Sequence, residues 1–430
     1  MPQSCDSPTT IATVASEELT RPARLPRPHA GPAVRSVADR SRPRAGQGVG
    51  ARRRAPSGAG GGESLAFRIR RIAICAAIIA LIPTSISYLL RITEASNTSI
   101  PIRSVEWLRS NGAAGLVNSI ESIYYSLTAP EKGGPALHKL PHVGIGSAAA
   151  AANKPSEYRP PNIAPLTHPA LPGEGVWVPA RPNQGANPPL LLTTFRSEPA
   201  EYPRIVAGVG WINTHRTNIV LYPGQSQPSV EMPNRGPEEV PPSQRSKLLA
   251  TFNSAFKLED SNGGFALNGH VYAPLRDGQA TFVKYANGTY DVVAWHGSET
   301  YAPNVVFARQ NLPLIVEEGH RNPRLSDSAE WGATLGNAVR VWRSGIGIDS
   351  HGDLIYATAN DQTAESLADI LIHAGAVRAM ELDINSYWVS FNTYGAPGAR
   401  NPQKLLSEIE RPATRYLEPD ERDFFAVYEQ

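Results

Sequence analysis

Short apolar runs separated by Pro and Gly dominate the chain after Leu171. The runs have strand length, and Asn287-Gly288 between two of them is the dipeptide that tight hairpin turns prefer. Helical periodicity is rare here. We therefore predict an α+β fold for residues 171–430, built on a large, mainly antiparallel or mixed sheet with few helices. The runs lie at 175–178, 190–195, 204–211, 218–222, 248–252, 280–285, 290–295, 305–308 and 312–316.

The most regular pattern lies in residues 342–391. Two apolar runs, 345–348 and 354–357, flank turn residues and predict a β-hairpin. Thr363 is a good helix N-cap, an apolar face recurs over 364–374, and Gly375 suits the helix end. A strand-like run at 377–383 follows. Because strand side chains alternate, Glu381 and Asp383 are expected on one face. The predicted unit therefore ends in two carboxylates.

An uncharged apolar run occupies residues 72–90. At ~1.5 Å rise per residue it would span roughly 28 Å, close to the thickness of a hydrocarbon core. Arg residues cluster before it, so the positive-inside rule places the N-terminus in the cytoplasm and the main domain outside. We predict a single-pass cell-membrane protein with an uncleaved anchor. A cleaved secretion signal is the alternative.

The segments on either side of this run lack strand patterns. Residues 1–71 are rich in Arg, Pro, Ala and Gly, which predicts a disordered cytoplasmic tail; an arm that binds nucleic acid or anionic lipid is the alternative. Residues 91–170 are predicted to hold a juxtamembrane helix, interrupted near Asn111-Gly112, and then a Pro/Ala-rich linker. The apolar stripe of this helix suits a position on the membrane surface, although such a stripe more commonly packs on the following domain.

The net charge and the cysteine and histidine content limit which functions and which kinds of site this chain can have. A net charge of +2 argues against a dedicated nucleic-acid binder. Cys5 and Cys75 precede the predicted domain, so neither a disulfide framework nor a Cys-based zinc site is available to it. The histidines show no metal-ligand spacing. We therefore expect no metal and no cofactor. The Arg-, Ala- and Pro-rich composition indicates a bacterial chain.

Two polar clusters precede the carboxylates. Asn253 ends a predicted strand and is followed by a Gly-rich loop and by Asn268-Gly269, where backbone amides can approach a ligand closely. Arg343 stands just before an apolar strand that ends at Asp349. Its guanidinium suits phosphate or carboxylate, and a structural salt bridge is an equal alternative.

The two carboxylates form the third cluster. Glu381 and Asp383 lie at the end of a predicted buried strand. Ionised groups are costly there unless they meet a cation, a metal or a substrate. We favour a functional role for them. A salt bridge from Arg343 to either carboxylate remains open.

The order of these motifs resembles the phosphodiester glycosidase family, relatives of the "uncovering enzyme" that removes N-acetylglucosamine from a sugar phosphodiester. The resemblance covers residues 200–395. Residues 253–256 resemble the family's Asn-x-x-Phe-Phe block and 343–347 its Arg-Thr-Ala-Ile-Gly block, while Asp383 stands where its Asp-Gly-Gly-Gly-Ser block begins. Ile384–Trp388 replaces the glycine run. By this likeness Asn253, Arg343 and Asp383 are catalytic candidates.

The resemblance and the apolar run at 72–90 together imply a membrane-anchored hydrolase that cleaves a glycosyl–phosphate bond in cell-envelope or exopolysaccharide material. A phosphate leaving group needs little protonation. Arg343 would neutralise it, and Asp383, with Glu381 as second choice, would act as nucleophile or base. Asn253 would hold the sugar. A domain that keeps the fold and binds envelope glycan without cleaving it is the alternative. The expected substrate contacts are Asn268, Gly269, Asp349, Asn385 and Trp388.

Overall fold

The computed structural model describes residues 64–144, 157–326, 330–332 and 340–430. Most of the predicted disordered tail and part of the predicted linker lie outside these residues. The helices are α1 (Leu65–Thr93), α2 (Ile100–Leu108), α3 (Ala114–Leu127), α4 (Leu258–Ser261) and α5 (Ala364–His373). The strands are β1 (Val178–Pro179), β2 (Leu190–Arg196), β3 (Val206–Ile212), β4 (Thr217–Tyr222), β5 (Leu248–Asn253), β6 (Phe265–Leu267), β7 (His270–Ala273), β8 (Ala280–Tyr285), β9 (Tyr290–Ala294), β10 (Val305–Gln310), β11 (Val316–Glu317), β12 (His320–Arg321), β13 (Val341–Ile348), β14 (Leu354–Gln362), β15 (Arg378–Glu381), β16 (Phe391–Ala396), β17 (Arg400–Lys404) and β18 (Phe424–Glu429).

The strands form three sheets with antiparallel neighbours. Sheet A has the order β1-β2-β3-β14-β13-β15-β11-β12, sheet B the order β17-β16-β5-β18-β4, and sheet C the order β7-β6-β10-β8-β9. The predicted α+β class, with mainly antiparallel strands and few helices, is confirmed. The strands are divided among three sheets, because the Pro- and Gly-rich connections let neighbouring strands pack face to face as well as edge to edge.

The predicted unit at 342–391 forms as β13, β14, α5 and β15. The turn after β13 closes the hairpin, with Ile348 opposite Leu354. Thr363 caps α5, since its hydroxyl accepts the Ser366 N–H while the Ser366 hydroxyl accepts the Thr363 N–H. Gly375 follows the helix with φ +102°, the left-handed conformation that glycine adopts without strain. The apolar side of α5 packs on sheet A.

Aromatic side chains join the sheets in the main core. Phe425 of β18 contacts Phe252 in its own sheet and Phe282 in sheet C, with ring centroids 5.1 and 4.9 Å apart. Phe391 of sheet B meets Tyr356 of sheet A at 4.7 Å. Burying rings of this size supplies most of the apolar area of a core. The core therefore fixes the relative positions of all three sheets.

Three of the described helices precede the sheets, and a break separates the last two of them. α1 is long and apolar enough to cross a membrane, with a mean hydropathy of 2.2 in its most apolar window and none of that window buried. α2 and α3 are separated where Asn111 and Gly112 leave helical geometry, Gly112 at φ +88°. Residues 70–430, which include both helices, form one compact unit.

The turn between β13 and β14 holds a buried acid, Asp353. Its carboxylate accepts the N–H of Thr214 at 2.8 Å and lies beside Asp349. Burial raises the pKa of Asp353 from 3.8 to about 6, and the hydrogen bonds from Thr214 offset only part of this. Because the pKa of Asp353 is higher in the folded than in the unfolded protein, the protonated form of Asp353 stabilises the fold. This contribution is complete below pH 3.8 and is lost as the pH rises through 6.

Asp353→Asn removes this pH dependence. The difference between the two pKa values corresponds to about 3 kcal/mol, of which about 2 kcal/mol is lost between pH 4.5 and pH 7.5. Relative to wild type, the variant should therefore gain about 2 kcal/mol over this range. Urea unfolding of the full chain in nonionic detergent measures this gain. Glu231→Gln, the same chemical change at an exposed position, should show little gain. An equal gain in both variants would contradict the assignment to Asp353.

Candidate active site

Asp383 lies just beyond the end of β15, in the middle of sheet A. The main chain there is held by neighbouring segments, because the Leu382 N–H donates to the Ser344 carbonyl at 2.8 Å and the Asp383 N–H donates to the Ser254 carbonyl at 3.1 Å. The regular strand ends at Glu381. Glu381 and Asp383 therefore meet different partners, although alternation predicts a shared face.

The Asp383 carboxylate forms a buried ion pair with Arg422. Its Oδ2 accepts from Arg422 Nη2 at 2.5 Å, and its Oδ1 accepts the N–H of Asn385 at 3.0 Å. Burial raises the pKa of Asp383 above its usual value, even though Arg422 and the Asn385 N–H act in the opposite direction. The carboxylate is thus fixed in orientation and costly to ionise.

A cleft of about 410 Å³ opens beside Asp383. One wall is the loop after β15, and another is the segment around Lys257 that leads from β5 into α4. Arg422 lies at the base, where its guanidinium stacks 5.1 Å from the centre of the Trp388 ring. The remaining wall comes from α2 and α3. The polar and aromatic residues that line the cleft include Glu106, Arg109, Asn118, Glu121, Tyr125, Lys257, Asp260, Asp383, Asn385, Trp388 and Arg422.

Three cations lie close to Glu106 in this cleft. Lys257 forms an ion pair with Glu106, Arg109 Nη1 lies 3.7 Å from it, and Arg422 is near enough to influence its titration. Burial by itself would raise the pKa of Glu106, but these cations together hold that pKa below its usual range. Six carboxylates line the same cleft, so its charge is mixed, and the phosphate of an anionic ligand would have to contact these cations directly.

Two predicted site residues, Arg343 and Glu381, lie behind the cleft and pair with each other. Arg343 Nη1 donates to Glu381 Oε1 at 2.5 Å and to the Trp331 carbonyl at 3.3 Å, and Arg343 Nε donates to the Gln362 carbonyl at 3.0 Å. Burial raises the pKa of Glu381, while Arg343 opposes that rise. Neither residue lines the cleft. Of the two interpretations of Arg343 left open by the sequence, this geometry is that of the salt bridge.

Asn253 is also placed behind the cleft. Its Oδ1 accepts from the Tyr356 hydroxyl at 2.9 Å and from the Ser390 N–H at 3.0 Å, and its Nδ2 donates to Ser344 Oγ at 3.0 Å. Ser344 Oγ in turn donates to the Asp383 carbonyl at 2.7 Å. In the structure Asn253 therefore supports the backbone that carries Asp383.

The predicted substrate contacts separate into two groups. Asn385 and Trp388 line the cleft beside Asp383. Asn268 and Gly269 form the turn between β6 and β7 in sheet C, where their N–H groups donate to the carbonyls of Val306 and Val305. Asp349 lies at the opposite end of β13 from the cleft.

Asp349 is satisfied in its own turn. It accepts hydrogen bonds from the N–H groups of His351 and Asp353 and from Trp211 Nε1. These partners account for the buried carboxylate without a ligand.

Sequence reasoning missed Arg422, Lys257 and Glu106. Arg422 stands just before β18, so it carries the same signal that singled out Arg343, an Arg preceding an apolar strand. Lys257 directly follows the 253–256 block that the sequence singled out, whereas nothing in the local sequence around Glu106 indicates a site. Among the described residues, no group of three or more His, Cys, Asp or Glu side chains has the geometry to hold a metal ion.

The family model for phosphodiester glycosidases matches residues 246–383, a segment that begins before β5 and ends at Asp383. Arg422 and Glu106 lie outside the matched segment. No curated protein matches the chain.

Two solved structures are similar at low identity. The catalytic domain of zebrafish N-acetylglucosamine-1-phosphodiester alpha-N-acetylglucosaminidase, auto-inhibited by pro-peptide, is 15% identical, covers 68% of this chain and 97% of its own, and gives a TM-score of 0.39. A hypothetical protein from Synechocystis is 12% identical, covers 58% of this chain and 63% of its own, and gives a TM-score of 0.35. The assignment rests on the family match. Residues 246–383 therefore match the phosphodiester glycosidase domain, which supports a glycosidase-type function.

Proposed function

We propose that the domain hydrolyses the glycosyl–phosphate bond of a sugar phosphodiester in envelope or exopolysaccharide material. The observation that carries the proposal is the Asp383 carboxylate, which lies against a cleft beside Arg422 and Lys257. A phosphodiester carries one negative charge, and phosphate is a good leaving group. The reaction therefore needs a cation for the departing phosphate and a carboxylate at the anomeric carbon, and the cleft provides both.

The roles of the residues follow from their positions. Arg422 and Lys257 bind the phosphate and neutralise the charge that develops on it as the bond breaks. Asp383 attacks the anomeric carbon or activates the water that does so. Trp388 packs against the Arg422 guanidinium and so helps to hold that cation beside the phosphate. Arg343, Glu381 and Asn253 hold β13, β15 and the Asp383 loop in place from behind.

Attachment to the membrane through α1 belongs to the same proposal. The helix includes the apolar run at 72–90, in which every residue except the half-buried Tyr88 is exposed. In water such a surface would be unfavourable, whereas a bilayer would cover it. The preceding Arg-rich segment then places the domain outside the cytoplasm.

Asp383→Asn should lower kcat/KM by about 10²- to 10⁴-fold, because it removes the nucleophile or base and leaves the shape of the side chain unchanged. The measurement is sugar release by the full chain from a synthetic N-acetylglucosaminyl methyl phosphodiester and its hexosyl counterpart. Asp423→Asn is the matched control. It breaks another buried ion pair, with Arg309 at 2.8 Å, but Asp423 does not line the cleft.

The control should lose stability and keep its kcat in the folded fraction. Equal glycan binding by wild type and Asp383→Asn, with no sugar release by either protein, would support the binding-domain alternative and reject the proposed hydrolysis.

Arg422→Gln should reduce kcat/KM by about 10²-fold, because the leaving phosphate loses its cation. It should also move the acidic limb of the pH profile of kcat/KM to higher pH. The sign follows from the ion pair: Arg422 lowers the pKa of Asp383, so its removal raises that pKa, and the ionised base then forms only at higher pH. Arg422→Lys keeps the charge, so both the fall in kcat/KM and the shift of the acidic limb should be smaller. An unchanged acidic limb would argue against Asp383 as the base.

Glu106→Gln should lower KM for the anionic substrate by about tenfold, since it removes a carboxylate that competes for Lys257 and repels the phosphate. Glu259→Gln is the matched control, because Glu259 borders the same cleft but is exposed, so solvent screens its charge. A fall in kcat at unchanged KM would instead identify Glu106 as a proton donor.

A further inference from the structure

The helix α3 presents three chemically different sides. The side toward the domain packs at the cleft: Val117 is buried, and Tyr125 lies against the cluster of Phe256, Val341 and Ile384. A second side is exposed and polar, with Ser119 and Ser126. The third side is exposed and apolar, and it consists of Leu116, Ile120, Ile123, Tyr124 and Leu127. Their spacing of three and four residues places them in one stripe.

The apolar stripe is unusual for a surface in contact with water. Its exposed fractions run from 59% at Ile120 to 82% at Leu127, and none of its members is charged. Contiguous apolar patches on soluble domains usually mark a surface that another molecule or a membrane covers. No described residue of the chain covers this stripe.

The end of α1 indicates what covers the stripe. α2, which leads into α3, is held against the last turns of α1. The Tyr88 ring packs edge-on to the Trp107 ring at 5.2 Å, the Tyr88 hydroxyl shares a hydrogen bond with Ser104 at 2.8 Å, and Trp107 Nε1 donates to Ser87 at 3.1 Å. Arg91 follows one turn later, where the apolar run has ended. Tyr and Trp at the end of an apolar helix are typical of the level of lipid headgroups.

We propose that the stripe on α3 lies in the lipid bilayer that holds α1, on the side of the membrane that carries the domain. α3 is then an interfacial helix, with its apolar stripe in the headgroup and upper acyl region and its serine side toward water. This inference rests on the membrane attachment through α1 proposed above. Since the opposite side of α3 walls the cleft, the cleft lies about one helix diameter, roughly 10 Å, from the bilayer. The enzyme would meet its substrate at the membrane surface.

Spin labels on α3 test the proposal in the full chain. The background is Cys5→Ser with Cys75→Ala, which removes both native cysteines. Ile120→Cys places a nitroxide on the stripe, and Ser126→Cys places the matched control on the exposed polar side of the same helix. The protein is reconstituted as one chain per nanodisc of phosphatidylcholine and phosphatidylglycerol. Collision rates are measured with oxygen, which concentrates in lipid, and with a water-soluble nickel chelate.

The label at Ile120 should collide with oxygen several-fold more often than with nickel, and the label at Ser126 should show the reverse. Equal nickel access at both positions would place the stripe in water and overturn the proposal. Protection of Ile120 from both reagents would show that protein covers it, such as a second copy of the chain, and would also overturn it.

Two further measurements separate the possible causes of failure. Both labelled positions are exposed, so thermal unfolding should match that of the wild type. Release of the chain from membranes by alkaline carbonate would refute the anchor and the stripe together. Because collision rates do not depend on catalysis, an inactive enzyme would refute the proposed hydrolysis and leave this result unchanged.

Discussion

The geometry of the site depends on the buried ion pair between Arg415 and Asp420. The two side chains meet through two parallel hydrogen bonds of 2.8 and 2.9 Å, and both are fully buried. Arg415 Nη1 also donates to the Trp388 carbonyl at 2.7 Å, and Asp420 Oδ1 accepts the Arg422 N–H at 3.0 Å. One pair therefore fixes both the loop that carries Asp383 and the residue that pairs with it.

The same pair anchors the segment that leads to α2. Asn97 Nδ2 donates to Asp420 Oδ2 at 3.2 Å and to the Arg415 carbonyl at 3.1 Å. Burial would raise the pKa of Asp420, but Arg415 and Arg411 hold it below the usual range, so the acid stays ionised. A buried pair is costly to desolvate, and its benefit is a fixed geometry. Here that geometry includes the helices that wall the cleft.

The sequence predicted the fold class and the unit from β13 to β15, because both follow from local patterns of apolar, capping and turn residues. It placed Asp383 within the last strand, on the same face as Glu381, whereas β15 ends at Glu381. It could not predict the partner of Asp383. Arg343 and Arg422 show the same local signal, and only the pairing of β13 with β15 decides that Glu381 takes Arg343. Arg422 reaches Asp383 because Arg415 and Asp420 hold the chain just before β18. Contacts of this kind depend on tertiary packing, which alternation along one strand does not encode.

The loop that replaces the family's glycine run uses its own backbone N–H groups. Asp383 Oδ1 accepts from the Asn385 N–H, and Asn385 Oδ1 accepts from the Tyr387 N–H, both at 3.0 Å. Turns of this kind stabilise a tight backbone conformation through Asp and Asn side chains, so the loop can form without glycine. These two N–H groups are therefore not free to bind phosphate. In the proposed reaction the phosphate would instead meet side-chain cations, and the cleft contains Arg422, Lys257 and Arg109.

Two buried Arg–carboxylate pairs lie at the end of β15, Arg343 with Glu381 and Arg422 with Asp383. They differ in whether the cleft lies beside them. Arg343 and Glu381 are fully buried, and neither side chain borders the cleft in the observed geometry. Asp383 has one hydrogen bond to each oxygen, from Asn385 and from Arg422, and borders the cleft. An ionised carboxylate has about four lone-pair sites. Two lone-pair sites remain for the carbon or the water molecule of the proposed reaction, so the contacts that orient Asp383 are compatible with that reaction.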